Sequence, residues 1–250
     1  MQIQKEDNID KESLPTLGTV SRNENGYPIG YFFGYKAIGV FQTQEEIDSY
    51  ISPATGKPIQ PNAAPGDTKF EDLNGDGVIS DDNEDRTMIG KPNPDWMVGL
   101  TVAADWNGFD LSAFFQGSFG ADVFDALRRY ELAAVNYTSD ALERWTGPGT
   151  SNSMPRIVLG DTPKNFRPST LLVHDASFLR LRNLQVGYTL PAQLTRKAYI
   201  QRLRFYASFD NLLTITGYKG MDPEIGSTMG IDKGVYPQAR VYTFGLNLTF

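Results

Sequence analysis

Residues 95–119 constrain this chain more than any other stretch. Asn107-Gly108 divides them into two long alternating runs. Asn-Gly in that setting marks a two-residue hairpin, because both turn positions need positive φ. Folding there fixes the register. Trp106 falls opposite Phe109, Ala104 opposite Leu111, Val102 opposite Ala113, Leu100 opposite Phe115, Val98 opposite Gly117 and Trp96 opposite Phe119. One face is then almost wholly apolar, with bulky rings at both ends. The other carries Thr101, Asp105, Asp110, Ser112, Gln116 and Ser118, interrupted by Met97 and Phe114. Trp96 and Trp106 are ten positions apart. At ~3.3 Å per residue and a tilt of ~40°, that is a height of roughly 25 Å. This height suits the lipid-facing band of an outer-membrane β-barrel, with Trp96, Trp106, Phe109 and Phe119 as its aromatic girdles. A soluble sandwich strand runs only about 5–6 residues.

Three further segments repeat the alternation. Leu203, Phe205, Ala207 and Phe209 share a face within 202–214, with Arg204, Tyr206, Ser208 and Asp210 opposite and expected to line a polar interior. Tyr242, Phe244, Leu246, Leu248 and Phe250 alternate with Thr243, Gly245, Asn247 and Thr249. Within 178–190, Leu184, Val186, Tyr188 and Leu190 alternate, but Leu179 and Leu181 have the opposite parity, which predicts a bulge near Asn183 or an exit from the membrane there. The connections alternate in length: Asn107-Gly108, then 120–176, then 191–201, then 215–239. In an up-and-down meander both long connections fall at one end, as in outer-membrane barrels. The expected fold is all-β, an antiparallel up-and-down meander forming a segment of a transmembrane β-barrel, with long loops that contain short helices. Thr43–Glu46 and Asp140–Glu143 read as capping boxes, and Val123, Leu127, Tyr130 and Ala134 have helical spacing.

Composition removes several function classes. The formal net charge is −7 and no Lys/Arg-rich run exists, so no nucleic-acid partner is expected. There are no cysteines and a single histidine, His174, which leaves no basis for thiol chemistry, a histidine metal cluster or a Ser-His-Asp triad. No phosphate loop, nucleophile elbow or marked acid–base carboxylate pair appears, and the chain is not expected to be an enzyme. No window approaches ~18 consecutive apolar residues, which argues against a transmembrane helix but not against barrel strands. The polar start lacks a signal-peptide pattern, and about five strands fall short of the ~8 that close the smallest membrane barrels. The chain is therefore expected to be part of a longer polypeptide.

The acidic stretch 72–83 fits the first half of a calcium loop. Asp72, Asn74 and Asp76 occupy positions one, three and five, Gly77 position six, and Val78 would offer its carbonyl at seven. Position twelve is Asn83 in place of Glu, so Asp81, Asp82, Glu84 or Asp85 would have to complete the shell. A structural Ca²⁺ stapling this loop is one expectation; an Asx-rich turn without an ion is the other.

At this point the sequence resembles the C-terminal part of the SusC/RagA family of TonB-linked outer-membrane receptors of Bacteroidetes. The resemblance rests on Gly30–Phe41 followed by Thr43–Glu46, then Pro65–Gly77, Ile89–Trp96, Phe115–Gly117, Phe178–Pro191, Asp210–Leu213 and Gly220–Glu224. It implies a 22-stranded barrel with an N-terminal plug and a SusD-like surface lipoprotein as its lid, importing oligosaccharides or peptides with energy from the TonB complex. It further implies residence in the cell outer membrane, contact with outer-membrane lipid, and Thr243, Gly245, Leu248 and Phe250 as a signal for the barrel assembly machinery. On this reading, 1–94 form an outside-loop region with possible strands and the acidic loop, and 95–250 the C-terminal barrel strands with outside loops 120–176 and 215–239. A fragment without the plug is not expected to transport by itself. Trp145, Tyr218 and Tyr236 on those loops are candidates for contact with substrate or lid, through ring stacking. The competing reading is a secreted β-rich calcium-binding adhesin or glycan-binding module.

Overall fold

The computed structural model describes residues 6–7, 20–81, 84–128, 136–224 and 229–250. The chain divides into two compact units. One comprises Met1–Asn93, Asp122–His174 and Ile225–Gly234; the other comprises Pro94–Ala121, Asp175–Glu224 and Val235–Phe250.

The second unit is built on one five-stranded antiparallel sheet. Its strands are β1 (Trp96–Trp106), β2 (Phe109–Phe119), β3 (Phe178–Thr189), β4 (Arg202–Thr216) and β5 (Val241–Thr249). They lie in chain order across the sheet, so the topology is the up-and-down meander the sequence predicts. The hairpin register is the expected one at every pair from Trp96 opposite Phe119 to Trp106 opposite Phe109. Asn107 and Gly108 take φ of +46° and +85°, the left-handed values that let a two-residue turn follow the twist of its strands.

The parity slip in β3 is a bulge. Between Leu181 and Asn183 the register shifts against both β2 and β4. The bulge absorbs one residue, so Leu179 and Leu181 return to the face that bears Leu184 and Val186. Leu181 lies opposite Phe115 and Leu213, and Leu184 opposite Ala113 and Phe209. A strict period of two would have turned two leucines onto the polar face. The short β3–β4 connection holds a helical turn, Ala192–Thr195, and ends where Tyr199 adopts φ +58°.

The first unit carries the buried core: Val20, Phe32, Phe124, Met154, Phe166, Leu172 and Ile231 pack together there. Strand Tyr31–Tyr35 is buried along its length. The Thr43 cap forms as expected, with the Glu46 carboxylate reaching one residue further back to accept from the Gln42 amide at 2.8 Å. Thr43 Oγ1 accepts from Glu46 N at 3.3 Å and opens helix Gln44–Ser49. The other two loop-helix expectations are corrected. Val123 lies in a strand, Asp122–Asp125, whose Phe124 pairs in parallel with Ile231. A short apolar run does not separate helix from strand by spacing alone, and this distant partner decided it. Tyr130 and Ala134 lie outside the described residues. Asp140 caps nothing: Ser139–Glu143 is a 3-10 turn without a side-chain cap, and the Asp140 carboxylate accepts instead from Arg128 at 2.8 Å. No helix among the described residues is long and apolar enough to cross a membrane.

Candidate functional site

The two faces of the sheet differ sharply. Trp96, Val98, Leu100, Val102 and Trp106 of β1 align with Phe109, Leu111 and Phe119 of β2. Across the sheet the same face continues through Leu179, Val186, Phe205, Leu213, Ile215, Phe244, Leu246 and Leu248. Leu100, Val102, Phe205 and Leu246 lie inside their strands yet are 55, 45, 48 and 59% exposed, so among the described residues no second layer covers them. Exposed apolar patches on soluble monomers seldom exceed about 300–600 Å². Five strands spaced ~4.8 Å apart and roughly 25 Å tall present about that much or more, without a break. Trp96 and Phe119 mark one end of the hairpin, Trp106 and Phe109 the other; the Phe109 ring lies 4.4 Å from that of Tyr188.

The opposite face is charged and internally paired. Arg204 forks onto Asp110, with Nε donating at 2.9 Å. Both side chains lie over Gly187, where a Cβ would meet them at 2.5 Å. In the next position of that cross-strand row, Tyr206 lies over Gly245, where a Cβ would come within 2.5 Å of its ring. Two glycines thus make room for an ion pair and a phenol. Asn183 donates to Ser208 at 3.0 Å and Asp210 at 2.7 Å. Thr243, Gly245 and Leu248 lie in β5, with Thr243 and Gly245 on the polar face, Leu248 on the apolar one, and Phe250 exposed just past its end.

Sequence reasoning missed the densest cluster on this face. Arg180, almost fully buried, donates to Asp222 at 2.5 Å and Glu224 at 3.1 Å. Arg182 donates to the same Glu224 at 2.5 Å, to Gln116 at 2.7 Å and to Asn211 at 3.2 Å. A polar cavity of about 390 Å³ adjoins it, lined by Thr214, Thr216, Gln238 and Arg240 among others. Burial would push the Asp222 carboxyl up, but the amides of Gln238 and Glu224 and the Arg180 guanidinium outweigh it and hold it below the usual carboxylate range. The available signal was two arginines, Arg180 and Arg182, two residues apart in a strand whose other face is apolar.

In the acidic loop, Asp72 accepts from the Gly75 and Gly77 amides at 2.7 and 2.9 Å, and Asp76 from Val78 N at 2.8 Å. Asn74 Nδ2 donates to both Asp76 and Glu84 at 3.0 Å, taking the position between two carboxylates that a cation would favour. Asp85 is buried with its oxygens on the amides of Leu73 and Ser80. Asp81 turns outward to Lys164. Asp82 and Asn83 lie outside the described residues. Among the described residues no three acidic or histidine side chains gather as a metal-binding group. Of the three loop aromatics, Trp145 covers Gly66 and donates to Gln42 at 3.2 Å, Tyr218 is buried, and Tyr236 is 87% exposed.

No family model matches the chain. The TonB-dependent receptor P3 of Formosa agariphila is 34% identical over an alignment of 236 residues that covers 90% of this chain and 22% of that protein. The TonB-dependent receptor SusC of Bacteroides thetaiotaomicron is 30% identical over 92% of this chain and 21% of its own length. Among solved structures, the RagAB peptide transporter superposes with a TM-score of 0.70 at 28% identity, covering 95% of this chain and 24% of that one. The chain spans about a fifth to a quarter of the length of these relatives. The meander, its bare apolar face and these matches together identify the chain as a SusC/RagA-like TonB-dependent receptor segment.

Proposed function

We propose that the chain is the C-terminal barrel portion of a TonB-dependent outer-membrane importer of oligosaccharides or peptides. The observation that carries this reading is the uncovered apolar face of the sheet, about a bilayer core tall and ringed at each end by aromatics. Facing acyl chains satisfies that surface, and the paired charges of the opposite face then line a polar lumen. The outer edges of β1 and β5 lie at the sheet margins, and in lipid each must pair with a further strand. Transport would need the remaining strands, a plug and the TonB contact; the barrel assembly machinery would insert the whole, and a SusD-like lipoprotein would cover its outer mouth. The Asp72–Asp85 loop would take Ca²⁺ as a structural staple, with Asp72, Asn74, Asp76 and the Val78 carbonyl as ligands; the calcium-loop spacing supports this.

Depth-dependent quenching tests the membrane reading. The probe is the full-length receptor that would carry this segment, with Trp96 and Trp106 kept and its other tryptophans, Trp145 included, replaced by Phe. In vesicles, quenchers attached near the lipid headgroup should dim both residues more than quenchers at the chain ends. Full quenching by aqueous acrylamide with no effect of lipid-borne quencher would overturn it.

A further inference from the structure

The first unit contains a cavity of about 680 Å³, well within the size range of small-molecule sites. Its apolar lining includes Pro58, Ile59, Pro61 and Val78. Its charged lining residues are three cations, Lys57, Lys164 and Arg167, and one carboxylate, Asp67, which is already paired with Arg156. This runs against a chain whose formal net charge is −7.

The cations are held differently. The Arg167 guanidinium lies over the rings of Tyr35 and Phe70 at 4.7 and 4.8 Å, and its Nε donates to the Lys164 carbonyl at 3.1 Å. It is thus fixed in place, yet its buried Nη1 has no hydrogen-bond partner among the described residues. Lys164 pairs with Asp81, whose other oxygen lies 3.9 Å from Arg167 Nη1. That aspartate side chain is 67% exposed. Exposed ion pairs add little to stability, so the carboxylate can leave at small cost. The Lys164 hydrogen bond first, then the charges of Lys164 and Arg167, hold the Asp81 carboxyl below its usual range. This part of the wall therefore favours a carboxylate.

We infer that the cavity binds a small carboxylate-bearing ligand, which displaces Asp81 from Lys164 and Arg167, engages Lys57, and lays its apolar side on Pro58, Ile59 and Pro61. An acidic sugar and an acidic peptide share this chemistry. The inference concerns the first unit alone and holds whether or not the sheet faces lipid.

Calorimetric titration of the full chain in detergent tests it, with trigalacturonate, Glu-Glu dipeptide and neutral maltotriose as probes. At least one acidic probe should bind ten-fold or more tighter than maltotriose, and which one does so assigns the source. Lys57→Glu should weaken that binding at least ten-fold. Asp81→Asn, which removes the internal competitor, should tighten it several-fold. Both residues are exposed, so neither change threatens folding. Failure of both acids to bind, equal binding of maltotriose, or indifference to Lys57→Glu would overturn the inference.

Discussion

Arginine placed at Val102 or at its neighbour Ala103 should have opposite consequences. The two residues share one height in β1 but point to opposite faces: Val102 lies opposite Ala113 and Ala103 opposite Ser112. Thr101 is midway between Trp96 and Trp106, so Val102 stands about 2.5 Å from mid-height at ~3.3 Å per residue and ~40° tilt. Arginine on the lipid side at that depth costs about 2–4 kcal/mol, falling to about 0–1 near the interfaces. At about 1.4 kcal/mol per tenfold, Val102→Arg should lower the folded fraction ratio by roughly 30- to 700-fold. Ala103→Arg meets Ser112 on the polar side and should cost under about 1 kcal/mol. The assay is guanidinium unfolding in phosphatidylcholine vesicles of the full-length receptor that would carry this segment, followed by tryptophan emission, with Trp106→Arg as the interface control. In water, with the face half-open as it is, Val102→Arg should fall within about 0.5 kcal/mol, as surface changes do. Equal midpoints for Val102→Arg and Ala103→Arg in vesicles would refute the assignment of that face to lipid.

Four other outcomes follow from the geometry. Gly245→Ala drives a methyl to within 2.5 Å of the Tyr206 ring and should cost about 1–3 kcal/mol, recovered in large part by adding Tyr206→Ser; urea midpoints read both. Arg180→Met strands the Asp222 carboxylate and should cost about 3–5 kcal/mol, with Asp222→Asn in the same chain restoring part of it. Because the folded Asp222 carboxyl titrates below its unfolded value of about 3.9, its stabilisation is complete above that pH and fades as pH falls through the folded value. Asp222→Asn should remove that acid-side slope from the pH–stability curve. Calcium should release or absorb heat on titration into the chain, and the Asp72→Ala, Asp76→Ala double variant should show none; equal heats would dismiss a cation at that loop.

The hairpin was legible residue by residue because its information is local. Asn107-Gly108 sets the turn, and the turn sets every pair from Trp106 to Trp96. The bulge at Asn183 was legible because a parity error among leucines has few remedies. The arginine cluster was not legible, since Arg180 and Arg182 meet Asp222 and Glu224 only after β4 and its following loop return, and no local pattern records that meeting. The same reason defeated the helix expected at Val123, whose strand exists through Ile231. The loop aromatics differ in a way no local pattern records: the Tyr218 ring lies over Gly220 and is buried, whereas Tyr236 protrudes.

The parallel pairing of Phe124 with Ile231 also bears on how the molecule is made. The first unit draws on three stretches of chain separated by pieces of the sheet, and the last of them emerges from the ribosome after four of the five long strands. Its core therefore waits, half-assembled, while greasy strands are already present and must be shielded from one another. Such a chain has high contact order and a long vulnerable interval, so holdase capacity, more than intrinsic stability, should limit its yield in cells.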